Sequence, residues 1–211
     1  MTAETPTTHL SPEDFVRAAL ELVADGGLRA LTLRSLGRVM DCDPTNLYRH
    51  FPSMAALRAA MVDEILLGIA GAELPDTTPR ARIEVYARRF RTELRRYAEL
   101  IPAVAAPDST AGVRLVAARG LRLVAELDIS VDQQLPWYLA FEGVVLGGLA
   151  FETAGTPDHL GQRRERLRCL DDPATVGWIE DDERVAAVNE AAFEHVLGAV
   201  LDACERAAAR A

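Results

Sequence analysis

Residues 32–57 read TLRSLGRVMDCDPTNLYRHFPSMAAL, two helix-sized segments joined by a tight break. Thr32 is a good N-cap, and Leu33, Leu36 and Met40 recur at three and four residues, which lays them along one buried stripe of a first helix. Asp41-Cys42 breaks that helix. Asp43 followed by Pro44 is a cap with proline at the first helical position, which predicts a second helix. Its apolar side is Leu47 and Phe51, and its other side offers Thr45, Asn46, Tyr48 and Arg49. It ends in the aromatic and basic cluster Tyr48-Arg49-His50-Phe51. A helix-turn-helix needs that division: the inner face holds the second helix to the first, while its outer, N-terminal residues meet base edges in a major groove.

The flanking sequence extends the unit in both directions. Ser11-Pro12-Glu13-Asp14 opens a preceding helix with a cap, a proline and two acids near the positive end of the dipole. Phe15, Ala18, Ala19, Leu22 and Val23 then recur at helical spacing until Gly26-Gly27 stops the helix. Ser53 caps a further helix over 53–70, on which Met54, Leu57, Met61 and Ile65 form a narrow apolar stripe suited to bridging two domains. The reading is a flexible tail at 1–10, then a DNA-binding domain over 11–70 that contains the helix-turn-helix at 32–51 and the linking helix.

This N-terminal segment resembles the tetracycline-repressor (TetR) family of transcriptional regulators. The likeness runs from about Ser11 to Leu66: the lead-in FVRAALELVADGGL at 15–28, then LTLRSLG at 31–37, NLYRHFPS at 46–53, and Ala56-Leu57. Two departures stand out. Asp41 occupies the turn where the family usually has Gly, and Asp tolerates a left-handed backbone better than most residues but less well than Gly. Met54 stands where the family commonly has a Lys that helps hold a DNA phosphate. The resemblance implies a homodimer that binds a palindromic double-stranded operator and is released by a small hydrophobic effector. It places Thr32, Arg34, Pro44, Thr45, Asn46, Tyr48, Arg49 and His50 at DNA. Arg34 would fork onto guanine, Asn46 would pair with adenine, and Tyr48 and His50 would hold phosphates, with a core role for Tyr48 as the alternative.

Downstream of Gly71 to Pro79 no run alternates in the strand manner, so the fold class is all-α, with a helical effector-binding and dimerisation domain over 80–211. Helices are expected at about 80–99, 109–127, 132–154 and 181–209, with a short turn near 102–106. The stretch 155–179 is a long loop or one holding an arginine-rich helix at 160–169. Glycines and alanines accumulate in the last two helices, which suits either a monomer core or close pairing with their copies across a dimer. Tyr86, Phe90 and Tyr97 on the helix at 80–99, and Trp137, Tyr138 and Phe141 at the start of the glycine-rich one, are each explained by core packing. As a set they are also material for an apolar ligand cavity, with Tyr86, Phe90, Trp137 and Phe141 as its expected ligand contacts. Glu142, on an apolar face, would orient a ligand or be capped by an arginine across the bundle. The run Arg88, Arg89, Arg91, Arg95 and Arg96 reads as a solvated face paired with Glu84, Glu93 and Glu99.

A formal charge of −9 over 211 residues argues against nucleic acid only if it is spread evenly. It is not: residues 26–60 hold five arginines against two aspartates, a basic tip on an acidic chain. The mixture of 49% hydrophobic residues with ample charge describes a folded domain rather than a disordered one. Cys42, Cys169 and Cys204 make no paired pattern, which fits a reducing cytoplasm, with Cys42 as a buried structural thiol. Neither a signal peptide nor an apolar run of membrane-spanning length is present in the sequence, and the expectation is a cytoplasmic protein with no membrane contact. No nucleophile, metal-ligand or phosphate-cradling motif appears, so no catalytic residue, metal or cofactor is expected. Two rival readings remain at this stage: a helical ligand-binding or catalytic protein whose helix-turn-helix is only structural, and a DNA-binding regulator controlled by a partner protein.

Overall fold

The computed structural model describes residues 10–100, 110–152 and 182–209. Among these the chain forms seven α-helices and no strand, as the all-α reading expects. They are α1 (Pro12–Gly26), α2 (Leu33–Val39), α3 (Met54–Gly71), α4 (Pro79–Arg95), α5 (Ala111–Ala125), α6 (Val131–Glu152) and α7 (Asp182–Ala208), with 3₁₀ turns at Leu28–Ala30, Pro44–Arg49 and Ala98–Leu100. The chain divides into two compact units between Glu64 and Ile65, within α3. The expected turn near 102–106 and the segment 155–179 lie outside the described residues, as does most of the expected tail.

In the first unit the caps act as the sequence indicates. The Ser11 hydroxyl accepts from the Asp14 amide at 3.2 Å while the Asp14 carboxylate accepts from the Ser11 amide at 3.0 Å, closing the start of α1. The Ser11 amide, together with the Ser11 hydroxyl donating at 3.0 Å, holds the Asp14 carboxyl below its usual range. Gly27 ends the helix at φ 71, a left-handed conformation that glycine adopts without steric cost. Thr32 and Ser35 form a second reciprocal box, at 3.0 and 2.9 Å, and the Ser35 hydroxyl also donates to the Ala30 carbonyl at 2.6 Å. Phe15, Leu36, Leu47, Leu57 and Met61 are all but inaccessible to solvent, and burying each contributes about 1.5–3 kcal/mol.

The second segment of the motif differs from the expected α-helix. Pro44–Arg49 is a 3₁₀ turn, with Asn46 donating to the Asp43 carbonyl and His50 to the Leu47 carbonyl, both at 2.9 Å. Over six residues, one a proline without an amide hydrogen, few i→i+4 bonds are available, so the tighter winding forfeits little. Helix α2 also stops sooner than the apolar stripe suggests, at Val39, leaving Met40 as its C-cap.

In the second unit, α4 packs on α5 and α6, and α6 also packs on α5 and α7. Ile83, Tyr86, Phe90, Val124, Phe141, Leu149, Leu197 and Leu201 are among the buried core residues. The basic run on α4 corrects the sequence expectation. Glu84 does pair within the helix with Arg80 and Arg88, at 3.2 and 3.4 Å. The closer partners, however, lie on α7: Arg80 reaches Asp202 and Glu205, and Arg88 grips Glu194, all at 2.7 Å. Arg91 is withdrawn from solvent. It is 4% exposed, lies 4.4 Å above the Phe193 ring and donates to Glu190 at 2.7 Å. Spacing along one helix cannot reveal a partner about a hundred residues away.

Candidate functional site

The turn between α2 and the 3₁₀ segment is fixed by three local devices. Asp41 sits at φ 48, in the left-handed region where the sequence substitutes it for glycine. The Asp43 carboxylate accepts from the Thr45 hydroxyl at 2.6 Å and from the Thr45 amide at 2.8 Å, and these bonds hold its carboxyl below the usual range. Gly37 lets the two arms close on each other: a Cβ there would stand 2.9 Å from both the Cys42 carbonyl oxygen and the Pro44 ring. Cys42, expected to be buried, is half-buried, and its amide donates to the Gly37 carbonyl at 3.0 Å.

On this frame the sequence-predicted DNA residues fall into two groups. Arg34, Pro44, Thr45, Tyr48 and Arg49 are exposed. Tyr48, at 49% exposure, is not a core residue. Arg34 and Arg49 make no ion pair among the described residues, so their charge stays available on the surface. The other group is partly committed to the fold. The Thr32 hydroxyl serves the α2 cap, Asn46 is half-buried, and the His50 ring packs 5.3 Å from the Phe15 ring centre. Arg38, which was not predicted as a site residue, is exposed one helical turn beyond Arg34. The four-residue spacing of the two arginines was the available signal.

The second unit contains a narrow cavity of about 40 Å³ between α4, α5 and α6. Helix α4 contributes Ile83, Tyr86, Ala87 and Phe90, α5 contributes Gly120, Leu123 and Val124, and α6 contributes Tyr138, Phe141, Glu142 and Val145. Of the four sequence-predicted ligand residues, Tyr86, Phe90 and Phe141 line it. Trp137 does not, and its buried indole nitrogen has no hydrogen-bond partner among the described residues. The Tyr86 and Phe90 rings meet edge to face at 6.3 Å. Burial pushes the Tyr86 hydroxyl up to about 12, so it stays a neutral donor, to the Val116 carbonyl at 3.4 Å. Glu142 is capped by Tyr138, whose hydroxyl donates to its Oε1 at 3.0 Å, and among the described residues no arginine bonds it.

Residues 15–61 match the family of bacterial regulatory proteins described as the tetR family. The matched residues contain the helix-turn-helix just described. No curated protein matches the chain. Among solved structures, the transcriptional regulator SCO7222, a TetR from Streptomyces coelicolor, is 21% identical with a TM-score of 0.70, over 94% of this chain and 99% of that one. BioQ, solved with its double-stranded DNA operator, is 24% identical with a TM-score of 0.61, over 93% and 98%. A single-site variant of TetR from Acinetobacter baumannii AYE, solved with minocycline, is 22% identical with a TM-score of 0.68, over 93% and 97%. At these identities the likeness is one of fold, and it covers nearly the whole chain. Among the described residues, no helix is long and apolar enough to cross a membrane, and no cluster of His, Cys, Asp or Glu could hold a metal ion.

Proposed function

We propose that this protein is a homodimeric repressor that occupies a palindromic operator through residues 32–51 and leaves it when a small hydrophobic molecule enters the cavity of the second unit. Residues 11–70 would serve as the DNA-binding domain and 80–211 as the effector and dimerisation domain. The observation that carries the reading is the pairing, on one rigid capped turn, of exposed Arg34 and Arg49, neither ion-paired among the described residues. Arginines kept out of internal salt bridges are suited to bidentate contact with guanine and to phosphates. Two further features support it. Glycines Gly143, Gly147 and Gly198 meet open space among the described residues, and apolar Leu135, Leu139, Val188 and Val196 stand exposed on the same two helices, α6 and α7. A face of that kind is suited to a second copy of the chain. The BioQ and TetR structures, solved with operator and with minocycline, carry both ligand classes on this fold.

Selection of bound fragments from the native genome tests the reading, with sedimentation showing a dimer at micromolar concentration. On the selected operator, Arg34→Ala should cost about 1–3 kcal/mol and relax the preference at one position, whereas Arg49→Ala should weaken all sequences alike and lower the salt slope by about one. Equal losses without a change in specificity would overturn the assignment of Arg34 to a base. Effector and operator should each weaken the other's binding by the same factor, roughly 5- to 150-fold, because coupling is reciprocal.

A further inference from the structure

Glu142 lies on a helix whose neighbouring residues are almost all apolar, four residues after Tyr138, so the two side chains share a face of α6. They meet there: the Tyr138 hydroxyl donates to Glu142 Oε1 at 3.0 Å. The edge of the phenol ring meets α5 at Gly120, where a Cβ would stand 2.6 Å from its Cε2 atom, so only glycine leaves the ring its place. Tyr138 thereby fills part of the slot between α4, α5 and α6 and keeps the remaining cavity near 40 Å³. Among the described lining residues Glu142 alone carries a charge. The nearby Arg119 is not one of them. Its guanidinium lies 5.6 Å from the Tyr86 ring centre and donates to the Ala70 carbonyl. A carboxylate with aromatic walls, satisfied by a neutral phenol, holds a place for a better donor: a cation there would neutralise the charge as well as make the hydrogen bond. An anion would meet the carboxylate with nothing to offset it.

We propose, resting on the ligand-responsive reading above, that the effector is a flat aromatic compound bearing a protonated amine. Its ring displaces the Tyr138 phenol from Gly120, and its nitrogen takes over the hydrogen bond to Glu142. The walls of Tyr86, Phe90 and Phe141, which share the cavity's lining with Tyr138, then close on the effector's aromatic body.

Calorimetric titration of the full chain with three probes of one shape decides the matter: 2-naphthylmethylamine, 2-naphthylmethanol and 2-naphthoate. The amine should bind about tenfold more tightly than the alcohol, and the carboxylate most weakly. Glu142→Gln, which keeps the shape and whose folding is checked by its melting curve, should erase the amine's advantage and leave the alcohol within about threefold of its original affinity. Tyr138→Phe, which removes the competing hydroxyl, should tighten the amine. The proposal is overturned if the carboxylate binds as well as the amine, if the amine's preference survives Glu142→Gln, or if no probe binds either the native chain or Tyr138→Phe. Operator affinity measured in the same samples separates this site from release. Glu142-dependent amine binding with operator affinity unchanged would keep the site and sink the release reading. Release by neutral compounds, indifferent to Glu142, would do the reverse.

Discussion

The two units of this chain are held together over different distances in sequence. In the first, the polar bonds are short-range: Ser11 with Asp14, Thr32 with Ser35, and Asp43 with Thr45 are two or three residues apart. In the second, the strongest polar contacts join α4 to α7 across about a hundred residues, Arg88 to Glu194, Arg91 to Glu190 and Arg80 to Asp202. The first unit can therefore set its turn geometry before its core closes. The second acquires its electrostatic order only when distant helices meet. The difference suits the two roles proposed above, because a DNA surface must hold a fixed shape while a ligand bundle must be able to yield.

The largest effect should come from the cores. Leu47→Ala in the first unit and Leu201→Ala in the second each empty a site with no solvent access and should cost about 2–5 kcal/mol. If the units are separately cooperative, each variant lowers one denaturation transition and spares the other. A single shared transition, equally lowered by both, would contradict the division. Next comes the long-range clamp. Arg91→Ala removes a buried cation from Glu190 and Phe193 and should destabilise by about 2–3 kcal/mol, less than a fully buried pair because Glu190 is half in water. Arg91→Met, which keeps the packed stem, should recover part of that loss. If Arg91→Ala were silent, the distant ion pairs would not be what orders the second unit. The smallest effect tests the local side. Asp41→Gly should raise stability by about 0.5 kcal/mol, because relief of the left-handed strain at φ 48 exceeds the added freedom of the unfolded chain. Asp41→Val should lower it. Thermal melts of the three proteins check the order.

The helix-turn-helix was legible in the residues alone, because the signals that specify it act within a few positions. Thr32, Asp43 with Pro44, and Gly26-Gly27 announce where helices begin and end, and the three-and-four spacing of apolar residues gives their inner faces. The same logic named most of the cavity's aromatic wall, since Tyr86 and Phe90 share a face of one helix. Packing settled whatever depends on approach between elements. It turned the His50 ring onto Phe15 and drew Arg91 out of solvent. It also gave Gly120 and Gly37 their reason, which is the close passage of Tyr138 at one and of Pro44 at the other. Neither neighbour is predictable from local spacing, because a glycine in a helix records only that something comes close, and which group does so is fixed by how the chain packs.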